Sequence, residues 1–460
     1  MSRDLDANLE PIESIDQLRQ PFADGCKGDG PRGIGTEHEK FGYDAETLQP
    51  LPWDGPRGIS AHLETLASDH GWTPIVDDTG RAMALEREGA HITLEPGGQL
   101  ELSGGVTRTV HETRDELARH VRETADVGDT LGQRWAFFGL RPTGTKDDVP
   151  WMPRSRHAIM RRYLGGQGRL AHWMMKMTCT VQANYDYRTE ADALDMLRVG
   201  GRLSPLVTAL FANSPIVEGE RSAFASWRMH VWEHTDDDRC GTPAFYLDPD
   251  ATFDDVVQWL LDVPMFFLLR DGRYIDVAGA SFRDFMANGL DGHTATMGDW
   301  ELHMSTVFPD VRIKKYIETR TADGGPPWAI LALPALWKGL FYDDDARAAA
   351  ARLVATTDPA ALKAFAFDVA RRGLDAEWQG TSARDLATEL VRIAGDSLDG
   401  LAVGHETERG YLAPLLDDAG IARSPADRFA ADWDATGGDI GAMLDRYSAT
   451  ALADAMFEVP

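Results

Sequence analysis

Several glutamates occur at alternate positions of segments whose residue pattern is typical of β-strands. Glu37 and Glu39 are separated by one residue, and Glu101 follows Gln99 at the same spacing. Because alternate side chains of a strand point to the same face of a sheet, each group would share one face. The carboxylates placed in this way are Glu37, Glu39, Glu95, Glu101 and Glu318. Carboxylates gathered on one surface repel each other unless cations or protons neutralise them, so the pattern indicates a site for divalent cations.

Amide and guanidinium side chains occupy similar positions in other segments. Gln182 and Asn184 alternate with apolar residues, and Arg320 takes an alternate position further along the chain. Oxygen ligands with a few amides suit Mg²⁺ or Mn²⁺ rather than zinc. Arg156, Arg228 and Arg320 would bind carboxylate or phosphate oxygens, since the guanidinium fork matches both.

The alternative interpretation is that each polar face is simply hydrated. Antiparallel sheets commonly leave one face in water, and for a single pair such as Glu37 and Glu39 this is the more frequent case. Acids and arginines with almost no lysine on five separate segments favour a binding site instead. The two interpretations differ in three dimensions, because only the second brings the carboxylates together.

The segments that must position these residues mix strand and helix patterns. Strands are predicted at Gly35–Tyr43, His91–Ser103, Trp135–Leu140, Thr178–Tyr187, Ser226–Trp232 and Arg312–Arg320. Helices are predicted at Ile59–His70, Val110–Leu131, Glu190–Ala212 and Phe253–Leu269. The two kinds of element do not alternate regularly, which favours an α+β fold with an antiparallel sheet.

The domain organisation follows from a change of pattern near Asp345. From there the chain is rich in Ala, Leu and Arg at helical spacing. We predict one unit over residues 1–460, with a sheet-containing core at 33–344 and a helical region at 345–460 packed on that core.

Charge and cysteine content limit the partners and the compartment. The 74 acidic and 46 basic residues give a formal charge of −28, which disfavours nucleic acid and anionic membranes as partners. This acidity fits either a salty cytoplasm or a genome that encodes arginine over lysine. The three cysteines argue against a disulfide framework, and the acidic N-terminus lacks a signal-peptide core. The most apolar run, Leu260–Leu269, is too short for a membrane span. We therefore expect a soluble, cytoplasmic protein.

Two short motifs match known patterns without the expected context. The glycine pattern of Gly28–Gly33 follows no predicted strand and opens no predicted helix, so it does not indicate dinucleotide binding. His230-Val-Trp-Glu-His234 matches the zinc peptidase pattern His-x-x-Glu-His, which requires a helix. Because the surrounding residues alternate as in a strand, we predict no zinc site there.

Six blocks occur in order along the chain: GTEHEKFG (35–42), LEPGGQLELSG (94–104), MPRSRHAIMR (152–161), TCTVQAN (178–184), LFANSP (210–215) and YIETRTADGG (316–325). Together they closely resemble the plant-type glutamate–cysteine ligases, a branch also found in bacteria. The resemblance implies a curved, mainly antiparallel sheet that forms a cradle flanked by helices, similar to the carboxylate–amine ligase fold of glutamine synthetase.

The resemblance also implies a reaction. ATP would phosphorylate the γ-carboxylate of glutamate, and the amine of cysteine would attack the acyl phosphate to give γ-glutamylcysteine, the first step of glutathione synthesis. Phosphoryl transfer needs in-line positioning and neutralised charge rather than a protein nucleophile, which accounts for the residue types. Mg²⁺ or Mn²⁺ and ATP are the implied cofactor and co-substrate.

The matching motifs assign roles to individual residues. The candidate metal ligands are Glu37, Glu39, Glu95, Glu101, Gln182 and Glu318. The candidates for contact with the nucleotide are Asn184, Lys314 and Arg320, and the candidate catalytic residues are Asn184, Glu318 and Arg320. Arg156 and Arg228 would orient substrate carboxylates, while Trp227 or Tyr246 would line the cysteine pocket. The expected partners are glutamate, cysteine and ATP, with at most a weak homodimer.

The sequence departs from the plant enzymes at two points. Val277 and Gly292 occupy the positions of their regulatory disulfide, so we expect no such redox switch. Their plastid-targeting segment is expected to be absent as well.

Three other functions stay open on the sequence alone. They are a γ-glutamyl ligase with another amine acceptor, a metal-dependent hydrolase that needs no ATP, and a non-catalytic acidic binding protein.

Overall fold

The computed structural model describes residues 8–76, 80–402, 404 and 406–453. The strands of its largest sheet are β1 (Ile34–Asp44), β2 (Thr73–Val76), β3 (Ala82–Arg87), β4 (Ala90–Leu94), β5 (Leu100–Ser103), β6 (Gln133–Ala136), β7 (Thr180–Tyr185), β8 (Val311–Ile313) and β9 (Ile317–Asp323). The order across the sheet is β8-β9-β7-β1-β5-β4-β3-β2, and β6 pairs with the second half of β1. All these pairs are antiparallel. The predicted α+β fold with an antiparallel sheet is confirmed.

Helices cover the apolar face of this sheet. Val110–Leu131 packs on β6, Glu190–Leu210 on β9, and Pro327–Phe341 on β7. The first of these begins at Thr109, whose side chain accepts a hydrogen bond from a backbone N–H of the first turn. It ends at Gly132, which has a φ of 68° that favours glycine.

The other α-helices surround the sheet and continue to the end of the described chain. They are Gln20–Ala23, Ile59–His70, Ser155–Leu164, Ala171–Met177, Trp227–Trp232, Phe253–Asp262, Phe282–Asn288, Met297–Met304, Asp344–Ala350, Pro359–Arg372, Ala383–Leu401, Pro425–Ala435, Ile440–Arg446 and Ala449–Leu452. Short 3₁₀ helices occur at Ile15–Arg19, Ala244–Leu247, Gly373–Asp375 and Arg409–Leu415.

Small two-stranded sheets complete the architecture. The pairs are Ile216–Val217 with Glu220–Arg221, Cys240–Gly241 with Phe308–Pro309, Phe267–Arg270 with Arg273–Asp276, and Glu377–Trp378 with Thr381–Ser382. Over the part of the chain that the structure describes, no helix has the length and apolar character needed to cross a membrane.

Two sequence predictions of element type were wrong. Residues 227–232 form a helix instead of a strand, because the side chain of Ser226 caps the helix by accepting a hydrogen bond from the backbone N–H of Met229. The helix predicted at Phe253–Leu269 ends at Asp262, and its last residues belong to a strand. Val263 is extended because it precedes Pro264, and residues before proline disfavour the helical conformation.

Two predicted strands are in fact hairpins. The segment 91–103 turns between β4 and β5, where Gly98 has a φ of 82° and donates a hydrogen bond to the carbonyl of Glu95. The segment 312–320 turns between β8 and β9, where the backbone N–H of Lys314 donates to the carbonyl of Tyr316. Both turns therefore lie inside segments whose alternating polar and apolar residues predicted one continuous strand.

Candidate active site

The register of the sheet brings the predicted polar side chains onto one face. Residues directly opposite each other in an antiparallel pair point to the same side of the sheet. Three such pairs are Glu37 with Gln182, Glu39 with Glu101, and Glu318 with Asn184. Since β1 and β7 are neighbours, the polar faces of β5, β1, β7 and β9 form one continuous surface.

A cavity opens on this surface, and we call it the acidic cavity. Its polar lining includes Glu37, Glu39, Glu95, Glu101, Gln182, Arg156, Arg228, Arg312 and Arg320. Glu95 lies just after β4, in the turn of the first hairpin, and Arg156 lies on helix Ser155–Leu164. Asn184 and Glu318 do not line the cavity but belong to the polar surface beside it. Lys314 lies in the turn after β8, where its charge lowers the pKa of Glu318.

One end of the cavity carries carboxylates with little positive charge around them. We call Glu39, Glu95 and Glu101 the acid end. Burial, and then the charges of Glu95 and Glu101, raise the pKa of Glu39 well above its usual value. Burial, and then Glu37 and Glu95, raise the pKa of Glu101 to about 7. Two neutral hydroxyl groups partly offset the burial of the Glu101 carboxylate, since Thr93 and Ser103 donate hydrogen bonds of 2.8 and 2.9 Å to it.

Beside the other end of the cavity, where Arg312 and Arg320 form the wall, lies a carboxylate that is surrounded by cations. We call Glu318 with Arg312, Lys314 and Arg320 the basic end. Arg312 donates two hydrogen bonds to the Glu318 carboxylate, at 2.6 and 2.9 Å, and Arg320 donates a third at 3.1 Å. Burial alone would raise the pKa of Glu318, but the three cations outweigh it and hold this pKa well below its usual value.

Two amides connect the ends. Arg320 donates a short hydrogen bond to the side-chain oxygen of Gln182, and Asn184 donates one of 3.0 Å to Glu37. In this structure the oxygens of Glu318 and Gln182 are thus already used by guanidinium groups. The predicted metal ligands therefore fall into two groups, with only the acid end short of positive charge.

The donor chemistry of the acid end suits Mg²⁺. Carboxylate oxygens are the ligands that this ion prefers, and charge repulsion within the cluster would be relieved by a cation. Among the residues described, no three acidic, histidine or cysteine side chains already surround a common point. Such an open arrangement fits an ion that is commonly held by one or two carboxylates, water and substrate phosphates.

Helix Trp227–Trp232 brings Arg228 to the cavity. The guanidinium is buried and donates to the backbone carbonyls of Arg320 and Thr321 at 3.0 and 3.3 Å. Asp323 lies 3.9 Å away and also accepts a hydrogen bond of 2.8 Å from Ser226, the cap of the same helix. Asp323 therefore fixes the helix that carries Arg228, a role that sequence reasoning missed although the residue lies in the motif 316–325.

The two aromatic residues predicted for a cysteine pocket make contacts elsewhere in the fold. Tyr246 is buried and donates its hydroxyl to the carbonyl of Val311 at 2.6 Å, and Trp227 packs on Trp173 with ring centroids 5.0 Å apart. Neither lines the acidic cavity. Trp232 does, because it lies one helical turn after Arg228 and on the same side of the helix.

A second cavity adjoins the acidic cavity, and we call it the side cavity. The two share Arg228, Trp232, Phe308 and Arg320 in their walls. The side cavity measures about 240 Å³ and extends to helix Pro359–Arg372.

Carboxylates that can hold a divalent cation, beside guanidinium groups that can bind phosphate, define an enzyme of the phosphoryl-transferring ligase class. The chain belongs to the Glutamate-cysteine ligase family 2 (GCS2), whose sequence model matches residues 33–445. The enzyme is therefore of the glutamate–cysteine ligase type.

Relatives from plants agree with this assignment. The chain is 39% identical over 421 residues to the chloroplastic glutamate–cysteine ligase of Brassica juncea, and the aligned region covers 91% of this chain and 80% of that protein. It is 38% identical over 422 residues to the chloroplastic enzyme of Arabidopsis thaliana, with 91% and 79% covered. The structure is similar to that of glutamate–cysteine ligase from Francisella tularensis in complex with AMP, with a TM-score of 0.58 over 94% of this chain and 91% of that chain. At 12% identity this likeness concerns the fold.

Proposed function

We propose that the protein uses ATP to join the γ-carboxylate of L-glutamate to the amine of L-cysteine through γ-glutamyl phosphate. The product would be γ-glutamylcysteine, and the reaction the first step of glutathione synthesis. Family membership over residues 33–445 supports the proposal. The observation that carries it is a single cavity in which the mutually repelling carboxylates of the acid end lie beside buried and half-buried arginines.

The chain's own residues account for the first half of this reaction. A carboxylate is a poor acyl donor, and its phosphorylation brings two anions together, the γ-carboxylate and the terminal phosphate. Arg156, Arg228 and Arg320 would reduce their repulsion and hold both in line. Glu39, Glu95 and Glu101 would hold Mg²⁺, which when bound would neutralise charge on the phosphates.

The remaining predicted residues would act around this centre. Lys314 and Asn184 lie near Glu37 and would face the nucleotide phosphates together with Arg320. Burial, and then Arg312, lower the pKa of Lys314 to about 8. Glu318 would fix Arg312 and Arg320 through the hydrogen bonds described above, in addition to any contact with the metal.

The finer expectations belong to the same proposal. We expect Mg²⁺ as the working ion, a cytoplasmic location, small molecules as partners and at most a weak homodimer. We also expect residues 1–460 to act as one catalytic unit, in which the region 345–460 packs on the core.

The test is product formation by the purified protein. With glutamate, cysteine, ATP and Mg²⁺, mass spectrometry should detect γ-glutamylcysteine, and ADP release should depend on both amino acids. A panel of other amines separates acceptor choices. Product formed only with another amine would replace cysteine in the proposal, and turnover without ATP would contradict it.

A further inference from the structure

The side cavity contains a carboxylate that the proposed phosphorylation step does not use. Glu233 lines this cavity just after helix Trp227–Trp232, and its side chain is only 5% exposed. Both carboxylate oxygens are buried and have no hydrogen-bond partner among the described residues. A buried carboxylate without a partner is unfavourable, so a bound ligand with a hydrogen-bonding cation would relieve the site.

The basic side chains near Glu233 do not supply that hydrogen-bonding cation at neutral pH. Lys363 lines the same cavity but pairs with Asp237 at 3.6 Å. His230 Nδ1 lies 3.8 Å from a Glu233 oxygen, a distance beyond normal hydrogen bonding. Burial, and then His234, lower the pKa of His230 to about 4, which keeps its ring uncharged. Glu233 and the two histidines form the motif that resembled a zinc site, but no metal-binding group of three is found among the described residues.

The walls of the side cavity combine both charges with an apolar surface. Arg228 and Arg320 belong to the wall shared with the acidic cavity, and their positive charges complement the negative charge of Glu233. Met229, Leu362 and Ala366 provide apolar lining. A free α-amino acid with a small apolar or thiol side chain has matching groups, namely a carboxylate, an ammonium group and a compact apolar part.

We infer that the side cavity binds the acceptor amino acid, with its ammonium group on Glu233 and its carboxylate toward the shared arginines. This inference rests on the proposed function, because it names the site of the second substrate. The shared wall would place the acceptor next to the acyl phosphate formed in the acidic cavity.

Glu233 would then act as a catalytic base. The ammonium group gives one proton to the Glu233 carboxylate, and the neutral amine attacks the carbonyl carbon of the γ-glutamyl phosphate. The C–N bond forms, the C–O bond to phosphate breaks, and phosphate leaves with the electron pair and accepts the second amine proton. Burial, and then Asp310, raise the pKa of Glu233 to about 8, which suits proton removal from an ammonium group near neutral pH.

The variant Glu233→Gln separates acceptor binding from phosphorylation. Hydroxylamine is mostly uncharged at neutral pH, so it can trap γ-glutamyl phosphate as a hydroxamate without a protein base. We expect kcat/KM for cysteine to fall about 100-fold, the usual size of a general-base contribution. The rate of hydroxamate formation from glutamate and ATP should stay close to that of the wild type.

A second variant and a control keep the test independent of folding. Ala366→Leu should raise the KM for cysteine by narrowing the side cavity while hydroxamate formation persists. Glu220→Gln, the same change at an exposed position, should behave as wild type. The inference is overturned if Glu233→Gln matches Glu220→Gln with cysteine, or if it loses both reactions equally. Failure of the wild type to form either product would instead contradict the proposed function.

Discussion

The acid end of the acidic cavity and the basic end beside it have the same type of side chain in opposite electrostatic states. At the acid end, burial and neighbouring carboxylates raise the pKa values of Glu39 and Glu101. At the basic end, Arg312 and its neighbours hold the pKa of Glu318 well below its usual value. All three glutamates lie on the same face of one sheet. Position on the sheet therefore does not decide the role of a carboxylate, and its charge partners do.

The basic end therefore stabilises the fold, and the acid end is suited to bind a cation. A carboxylate that accepts three hydrogen bonds from arginines supports the fold as it stands. Carboxylates that repel each other destabilise the metal-free protein and are retained for a ligand.

The largest expected effect is on stability at the basic end. Glu318→Gln leaves Arg312 buried without its ionic partner, so the free energy of unfolding should fall by about 3–5 kcal/mol. Chemical denaturation of the metal-free protein measures it. Glu101→Gln is the matched control, and we expect it to be neutral or stabilising because it removes a buried repelling charge. Equal losses in the two variants would remove the distinction between the ends.

The next effect is on activity at the acid end. Glu101→Gln should lower kcat/KM by at least about 100-fold, since a metal ligand contributes through the charge it holds at the phosphates. Steady-state assays over a range of Mg²⁺ concentration should show that more Mg²⁺ restores part of the rate. Wild-type activity in a folded Glu101→Gln protein would show that this carboxylate does not serve the reaction.

A smaller effect concerns pH. The pKa of Glu101 is about 7 in the folded protein and near its ordinary value of 4.5 in the unfolded chain, so the folded state binds this proton more tightly. Stability of the metal-free protein should therefore fall as pH rises from about 4.5 to about 7, by about 1–3 kcal/mol from this group. Denaturation at stepped pH in a chelator measures the slope. In Glu101→Gln the slope should be shallower, and identical slopes would be inconsistent with the raised pKa.

Strand alternation in the sequence was sufficient to predict the polar face of the sheet. It was not sufficient to separate the acid end from the basic end. Glu37, Glu39 and Gln182 were located from spacing alone, because their strands are regular and one of their faces is apolar. The ion pair of Glu318 with Arg312 was missed. The two residues face each other across a hairpin, and their segment read as one strand whose turn has no glycine or proline to mark it.

The wall shared by the two cavities depends on helix Trp227–Trp232, which the alternating sequence pattern predicted as a strand. Residues 226–232 alternate between apolar and polar types, yet the cap at Ser226 makes them helical. Position i+4 from Arg228 is Trp232, which lines both cavities, whereas the resemblance to the plant enzymes pointed to Trp227. Contacts made by Asp323 across the fold stabilise that cap, and no local pattern reports them.

Direct measurement of divalent cation binding tests the central claim. Mn²⁺ can be titrated in the presence of ATP and followed by the electron paramagnetic resonance signal of the free ion. The wild type and Glu220→Gln should bind Mn²⁺ alike, while Glu39→Gln/Glu101→Gln and Glu95→Ala should bind it at least about 10-fold more weakly. If folded protein with these substitutions binds Mn²⁺ as tightly as the wild type, the acid end is not the cation site.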